Sequence, residues 1–530
     1  MSLTLADIIE CLETPEVWGN PEVCVEEITY DSRQVKRNSL FVAIRGEKTD
    51  GHNFVYKASE SGASVIIAEK NPPADFEFDK TSWIRVANSR KALGPVADLI
   101  YGHPSQEMVL IGITGTNGKT TTTFLLESIL KAAGFVPGII GTISHRWPGF
   151  ETPASNTTPE ASDIQKMLAE MRLSGVTHVL MEVSSHGLVL RRLDGCSFDV
   201  GMFTNLTHDH LDFHQDMVSY YEAKRILFDE LLPASNKLSA SAIINLDDFY
   251  GSSLTQEIAG VPIITYGFNE QADIHPLNQE ISISGIRANI CVPNEVVSIT
   301  SPLAGSFNLS NILAAVSAGV TLRIPREAIA NGVKSLKTVP GRLQRIESHA
   351  GSLFVDYAHT PNALKNVLQA LREISDGRLI TLMGCGGDRD RSKRAVMGSE
   401  AAVGSDFLVI TSDNPRSEDP LSIIEQIEVG VIESGFKKIL HDSIHSGISD
   451  KSYIVIPDRR QAIEWIVTRL QPRDTLLLAG KGHETYQEIH GVRYPFDDRV
   501  VASEIINRLK PCKPGNHFLD AATMRPEVNR

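Results

Sequence analysis

Met108-Val109-Leu110-Ile111-Gly112-Ile113-Thr114-Gly115-Thr116-Asn117-Gly118-Lys119-Thr120-Thr121-Thr122 is the stretch on which the architecture turns. Its first seven residues form a continuous apolar run of the kind a fully buried strand carries. Helical spacing follows over Thr120 to Ala133, with Phe124, Leu125, Ile129 and Leu130 on one side. Between strand and helix lies a glycine-rich loop, which is what a bound triphosphate requires. Glycines let backbone N–H groups approach the phosphates, and the helix N-terminus adds partial positive charge. Lys119 can reach the β- and γ-phosphates, and the Thr120 hydroxyl can ligate Mg²⁺. Gly115, Thr116, Asn117, Gly118, Lys119, Thr120 and Thr121 are therefore the candidate nucleotide-binding residues. The strict phosphate-loop pattern places a glycine five positions before Gly118, and this chain has Ile113 there.

Working outward, short β-branched runs recur at Val179–Met181, Val200–Phe203 and Ala242–Ile244, with helical stretches between them. Alternating strands and helices indicate a parallel sheet with crossover helices. After Val339-Pro340-Gly341 the same habit returns at Leu379–Met383, Phe407–Ile410, Tyr453–Ile456 and Thr475–Ala479. Each run stops before a glycine-rich or polar loop, and ligands gather at the carboxyl ends of such strands. The segment up to about Pro104 mixes Leu40–Ile44 and Ala63–Ala68 with Gly/Asp turns. A chain of 530 residues predicts about three or four domains, and the patterns divide it at 1–105, 106–338 and 339–530. The tail after about Leu509 is polar and broken by Pro511 and Pro514, so poor order is expected there.

Lys+Arg 51 against Asp+Glu 65 leaves a net charge of −14, which argues against wholesale nucleic-acid or anionic-membrane binding. No uncharged apolar stretch approaches the ~20 residues of a membrane span. The N-terminus lacks a basic segment followed by an apolar one and reads as the start of a helix, not as a signal peptide. Cys11, Cys24, Cys196, Cys291, Cys385 and Cys512 show no CxxC spacing and read as free thiols of a reducing cytoplasm.

Two further elements carry candidate chemistry. Met181-Glu182-Val183-Ser184-Ser185-His186-Gly187 offers Glu182 as a Mg²⁺ ligand or phosphate-side carboxylate, or as a strand-end member of a surface ion pair. His208-Asp209-His210-Leu211-Asp212-Phe213-His214 resembles the H-x-H-x-D-H string of binuclear zinc hydrolases, with the last His one residue late. A phosphate-loop lysine favours Mg²⁺ over zinc, and His210 is the candidate in this segment. Lys224, in the amphipathic stretch Tyr220–Phe228, reads from its pattern as a solvated helix lysine.

This set of motifs resembles the ATP-dependent Mur ligases of peptidoglycan synthesis, over nearly the whole chain from Asp31-Ser32-Arg33 to Phe496-Asp497-Asp498-Arg499. Thr-Gly-Thr-Asn-Gly-Lys-Thr is that family's own phosphate loop, which accounts for Ile113. The resemblance implies three α/β domains. A smaller N-terminal domain holds the UDP moiety, a central phosphate-loop domain with a parallel sheet holds ATP, and a Rossmann-like C-terminal domain brings the incoming amino acid. It further implies that Ser32, Asn156, Thr157, Thr158, Ser184 and Arg192 contact the UDP-muramoyl-peptide. Where many members have Gln, two residues before Arg192, this chain has Leu190. Lys224 matches the lysine that the family carbamylates with CO₂, giving an anionic oxygen ligand for Mg²⁺, so Thr120, Glu182, His210 and Lys224 form the implied metal set. Asn308, Asn311, Arg342, Asp356 and His359 resemble further ATP contacts.

Asp413-Asn414-Pro415-Arg416 goes, in this family, with meso-diaminopimelate, whereas lysine-adding members lack the arginine. Diaminopimelate carries a second carboxylate that Arg416 can grip bidentately. Arg389 resembles another carboxylate partner, and Gly480 and Glu484 resemble contacts to the far amino group. The implied reaction phosphorylates the D-glutamate carboxylate of UDP-MurNAc-L-Ala-D-Glu with ATP, and the amine of diaminopimelate then attacks the acyl phosphate. Lys119, Glu182, His210 and Lys224 are the expected catalytic set. The enzyme is expected to be a cytoplasmic monomer. The rival readings are a lysine-adding member, a folylpolyglutamate synthase-like ligase and a zinc hydrolase. A regulatory GTPase would need an Asn-Lys-x-Asp loop, which is absent.

Overall fold

The computed structural model describes residues 3–46, 49–209, 211–348, 351–439 and 451–509. The chain forms two compact units, one running to Gln344 and including Ala358–Ile374, the other containing Arg345–Tyr357 and the chain from Ser375 onward.

The first unit holds two α/β sheets. The N-terminal sheet has the order Glu16–Trp18, Ser82–Arg85, Ala63–Ala68, Ser39–Val42, Glu27–Thr29. Its pairs are parallel except at Glu16–Trp18. Ser39–Val42 and Ala63–Ala68 are buried along their whole length, as central parallel strands must be. Helix Ser89–Ile100 starts where the Asn88 side chain accepts from the Lys91 N–H, and it packs on helix Ala161–Leu173. Across that contact Arg90 pairs with Glu160 at 3.1 Å and the Tyr30 hydroxyl donates to Asp163 at 2.9 Å.

The second sheet has eight strands. Val109–Thr114 lies between His178–Glu182 and Val200–Phe203 and is parallel to both. The loop after it therefore opens at the carboxyl edge of three adjacent strands, the usual ligand position in such a sheet. Ser241–Asn245 and Ile263–Tyr266 extend one side, while Pro137–Ile140 and an antiparallel hairpin, Ser144–Trp147 with Phe150–Pro153, extend the other. The first helix runs Lys119–Ala132 and buries Leu125, Leu126, Ile129 and Leu130. Phe124, expected on that inner side, is only partly buried and lies under the Arg146 guanidinium, 4.5 Å from its ring centre. A three-stranded meander, His275–Ser282, Gly285–Val292 and Glu295–Ser301, then interrupts the strand–helix alternation. Ile286, Ala288, Ile290 and Val292 bury one face of its middle strand against helix Ser306–Thr321 and its neighbours.

The second unit carries a seven-stranded sheet ordered Gln344–Ile346, Ser352–Asp356, Thr475–Ala479, Leu379–Met383, Phe407–Ile410, Ser452–Val455, Lys437–Lys438. Its five central strands are parallel, and the four strands expected there fall within one residue of the observed ones. Helices Lys393–Gly404 and Pro420–Glu433 pack against each other, with Gly398 and Gly430 at the crossing. The tail expected after Leu509 lies outside the described residues.

Candidate active site

The strand Val109–Thr114 ends in Gly115, with φ +142°, and Gly118, with φ +90°, leads into the helix at Lys119. A side chain is excluded at both positions. A Cβ on Gly115 would lie 1.9 Å from Thr204 Oγ1, and one on Gly118 would lie 2.5 Å from Asn311 Oδ1. The loop is pinned by the next strand's exit. Asn117 N–H donates to Asn205 Oδ1 at 2.9 Å, Thr116 N–H to Asn205 O at 2.8 Å, and the Thr204 hydroxyl to Asn117 O at 2.6 Å. The Thr116 hydroxyl meets the Tyr220 hydroxyl at 3.1 Å. Thr204, Asn205 and Tyr220 are positioning residues that the motifs alone did not single out. Lys119 Nζ donates to Gly115 O at 2.7 Å and Thr116 O at 3.0 Å. Burial pushes its pKa down, against the opposing pull of Glu182 and Asp209.

Glu182 ends its strand buried, 1 % exposed. Its Oε2 accepts from the Thr120 hydroxyl and the Thr142 hydroxyl, each at 2.8 Å, and its Oε1 accepts from Thr142 N–H at 3.1 Å. That excludes a surface ion pair. The Arg342 guanidinium donates to Thr120 Oγ1 at 3.4 Å. Lys224 is no solvated lysine, because its helix, Met217–Ile226, turns Tyr220, Tyr221, Ala223 and Lys224 inward. It is 1 % exposed and lies over the Tyr220 ring at 4.6 Å. Burial, reinforced by the Lys119 charge, drives its pKa well below that of a free lysine. His210 lies outside the described residues; His208 is exposed. Among the described residues no three His, Cys, Asp or Glu side chains converge on a metal position. Thr120 and Glu182 instead offer hard oxygen donors, the chemistry that Mg²⁺ accepts.

Asn308 and Asn311, on helix Ser306–Thr321, are buried, with Asn311 Nδ2 donating to Asn308 Oδ1 at 3.2 Å and Asn308 Nδ2 to Ala304 O at 2.7 Å. Thr121 is buried at the start of the loop's helix, and His359 is partly buried in the same unit. On the expected UDP-peptide side, the Thr158 hydroxyl is already engaged, donating to Glu182 O at 2.9 Å and accepting from Ser184 N–H at 3.0 Å. The Ser184 side chain caps helix Ser185–Val189. Arg192 pairs with Glu160 at 2.8 Å and donates to Thr158 O at 3.0 Å. Glu160 thereby links Arg192 to Arg90. Asn156 is exposed, Thr157 partly buried and Ser32 buried.

In the second unit, the loops after Leu379–Met383, Phe407–Ile410 and Thr475–Ala479 meet. Gly387 N–H donates to Asn414 O at 2.9 Å, and Gly387 leaves no room for a side chain against Pro415 O. Arg416 adopts a left-handed φ of +52°. Its backbone is held by Glu488 O and His490 N–H, and its guanidinium donates to Gly387 O at 2.6 Å. Arg394, fully buried, fastens the same loop through Glu418, Gln426 and Gly386 O. Hydrogen bonds from Arg394 hold the Glu418 carboxyl down at about 2. Arg389 is exposed and makes no hydrogen bond or ion pair among the described residues. Cys385 is buried beside Met397, and burial pushes its thiol up to about 12.

Asp413, Asn414 and Glu484 surround Lys481, which is wholly buried. Lys481 Nζ reaches Asp413 Oδ1 at 3.4 Å, Asn414 Oδ1 at 3.2 Å and Glu484 Oε2 at 3.3 Å. Asn414 Nδ2 donates to Glu484 Oε2 at 2.8 Å. Gly480, with φ +108°, donates its N–H to Asp356 O at 3.1 Å, which fixes where Asp356 sits in this unit. Lys481 lay in the open in Gly480-Lys481-Gly482-His483-Glu484, but nothing in the spacing distinguishes a buried lysine from a solvated one.

Three family models match the chain. They are Mur ligase family, catalytic domain, over 25–101; Mur ligase middle domain, over 113–319; and Mur ligase, glutamate ligase domain, over 341–482. A relative from Geobacter metallireducens, named UDP-N-acetylmuramoyl-L-alanyl-D-glutamate--2,6-diaminopimelate ligase, is 43% identical over 94% of this chain and 97% of its own. Its namesake from Geobacter sulfurreducens is 42% identical over 94% and 98%. A solved structure of a ligase with that name superposes with a TM-score of 0.69 at 30% identity, covering 96% of this chain and 99% of the other. With the phosphate loop, its pinning asparagines and the Asp413–Arg416 loop built as described, and with relatives this similar along nearly the full length, the chain belongs to the Mur ligase family.

Proposed function

We propose that this enzyme joins meso-diaminopimelate to the D-glutamate of UDP-MurNAc-L-Ala-D-Glu, with ATP as the energy source. Arg416 carries the choice of amino acid. Its backbone is fixed on both sides by the hairpin Tyr486–Ile489 and Val492–Pro495, and the Asp413–Glu484 pocket lies on the same loops. A cation for the second carboxylate and anions for the far ammonium are what a substrate with one of each at its end requires. The relatives named as diaminopimelate ligases support the same choice.

In the first step a γ-carboxylate oxygen of the D-glutamate attacks the γ-phosphorus and ADP leaves, giving an acyl phosphate. In the second, the diaminopimelate amine attacks the acyl carbon, and inorganic phosphate leaves as the amine loses its proton. Carboxylate oxygen is a poor leaving group, and phosphorylation supplies a good one. The loop N–H groups and Lys119 steady the charge on the phosphates. On binding, the Lys119 ammonium exchanges Gly115 O and Thr116 O for phosphate oxygens. Thr120, Glu182 and Lys224 as its carbamate would hold Mg²⁺, with His210 a further candidate; bound there, the ion neutralises phosphate charge. The Lys224 environment favours carbamylation, because a neutral amine is what captures CO₂ and burial shifts this one towards its neutral form. Asn308, Asn311, Arg342, Asp356 and His359 serve the nucleotide, and Ser32, Asn156, Thr157, Thr158, Ser184 and Arg192 serve the UDP-peptide. Segments 1–105, 106–338 and 339–530 would then each bring one substrate. No helix among the described residues is long and apolar enough to cross a membrane. Soluble substrates fit action as a cytoplasmic monomer.

Phosphate release with UDP-MurNAc-L-Ala-D-Glu, ATP and a panel of amino acids tests the assignment. Turnover confined to diaminopimelate is expected. A lysine kcat/KM equal to that for diaminopimelate would refute it.

A further inference from the structure

Among the described residues Lys481 is the one amine wholly buried against the carboxylates of the amino-acid loops. It sits between the left-handed Gly480 and Gly482, where the backbone turns its side chain under Asp413, Asn414 and Glu484. An ammonium has three N–H donors, and all three acceptors within reach are protein atoms, so no donor remains for a substrate group. Lys481 therefore cannot serve as a ligand for diaminopimelate itself. Its effect falls on Glu484. The Oε2 of Glu484 accepts from both Lys481 Nζ and Asn414 Nδ2, which fixes the carboxyl plane and leaves Oε1 outside both bonds.

We infer that Lys481 is a positioning residue that keeps Glu484 ionised and oriented for the substrate's far ammonium, as a built-in counter-ion to the Asp413–Glu484 pair. This role rests on the amino-acid site proposed above. A buried Asp413 and a partly buried Glu484 facing one ammonium would carry one negative charge too many, and like charges in a largely desolvated site drive one of them to take a proton. With Lys481 present the three groups sum to one negative charge, which matches one incoming ammonium. Burial, followed by the Asp413 charge, already pushes the Glu484 pKa up, and Lys481 and Asn414 pull it back. A further charge coupled to this pair is the buried Arg459 guanidinium, which is committed to Asp498 at 2.6 Å and to Ala479 O. The Tyr486 ring faces Lys481 at 5.8 Å and carries no charge to replace it.

The test is the pH dependence of the diaminopimelate KM in the full-length enzyme, compared among wild type, Lys481→Met, Lys481→Gln and Lys481→Arg. The variant-to-wild-type KM ratio cancels the substrate's own titration. For Lys481→Met and Lys481→Gln the ratio should rise about tenfold or more between pH 8 and pH 6, as Glu484 takes a proton. The ATP KM should stay within about twofold of wild type, and Lys481→Arg should restore a flat ratio. A KM ratio independent of pH, or an equal rise in the ATP KM, would overturn the role. Thermal melts identify which variants fold, and failure of both uncharged variants to fold would mark Lys481 as structural and overturn it too. A wild-type enzyme that turns over no diamino acid would instead refute the amino-acid site itself.

Discussion

Single side chains decide the chemistry, and they differ in how much of their role the sequence exposed. Lys119 and Thr120 were legible because strand, glycine loop and helix follow one another in sequence, so their neighbours in space are their neighbours in the chain. Lys119→Ala should abolish ATP turnover, read as phosphate release near background; near-normal release would refute its role on the phosphates. Arg416→Ala should cut the preference for diaminopimelate over lysine by on the order of 10²-fold, since a charge-assisted bidentate contact is worth about 3 kcal/mol. The kcat/KM ratio of the two amino acids measures it. Lys224 was misread from pattern because periodicity assigns charged residues to water, and a site buries them for reasons that periodicity does not carry. His178 was not legible at all. Burial lowers its pKa from 6.5 to about 4 while Asp199 opposes the shift, and its ring lies 4.3 Å from that of Phe135. Between those two values the unfolded chain binds a proton that the folded one does not. Stability is therefore lost as pH falls from 6.5 towards 4, by on the order of 3 kcal/mol at most. His178→Gln should flatten the slope of melting temperature against pH in that window, and an unchanged slope would assign the effect elsewhere.

At the scale of elements, parallel strands were the most readable feature, because strands buried on both faces are uninterrupted apolar runs. The meander of His275–Ser301 is different. Its middle strand alternates buried with partly buried or exposed residues, yet its polar outer faces make it resemble a loop between two helical stretches. Helix pairing was not readable either. Gly398 and Gly430 look like interruptions in two helical patterns, and only the fold shows that each admits the backbone of the other helix. A Cβ on Gly430 would lie 1.8 Å from Ala395 O, and one on Gly398 would lie 2.2 Å from Ile427 O. Gly430→Ala should cost at least about 2 kcal/mol, seen as a lowered melting temperature. A variant that melts with the wild type would show that the helices can part without penalty.

Across the whole molecule, the order of the parallel strands and the loops that follow them was visible in the motifs, since each such loop follows its own strand. What the motifs left out is how the loops are braced: Thr204 and Asn205 under the phosphate loop, Arg394 and Glu418 under the amino-acid loop. Their partners are 24 to 88 positions away in sequence, where no local pattern reaches. Hydrogen exchange should separate the two sites. ADP with Mg²⁺ should slow exchange in 113–122 and 204–209, and diaminopimelate in 384–389, 413–418 and 480–489; protection by diaminopimelate of the phosphate loop alone would contradict the assignment. The buried Cys385 has a practical use of its own. With its thiol at about 12 and shielded, it cannot be alkylated at neutral pH until its loop opens. Cys196 is equally enclosed in the other unit, and Cys24 is exposed throughout. Three thiols of one chain thus form a chemical clock, in which an alkylating pulse marks Cys24 at once and dates the opening of each unit by the delay before Cys196 and Cys385 react.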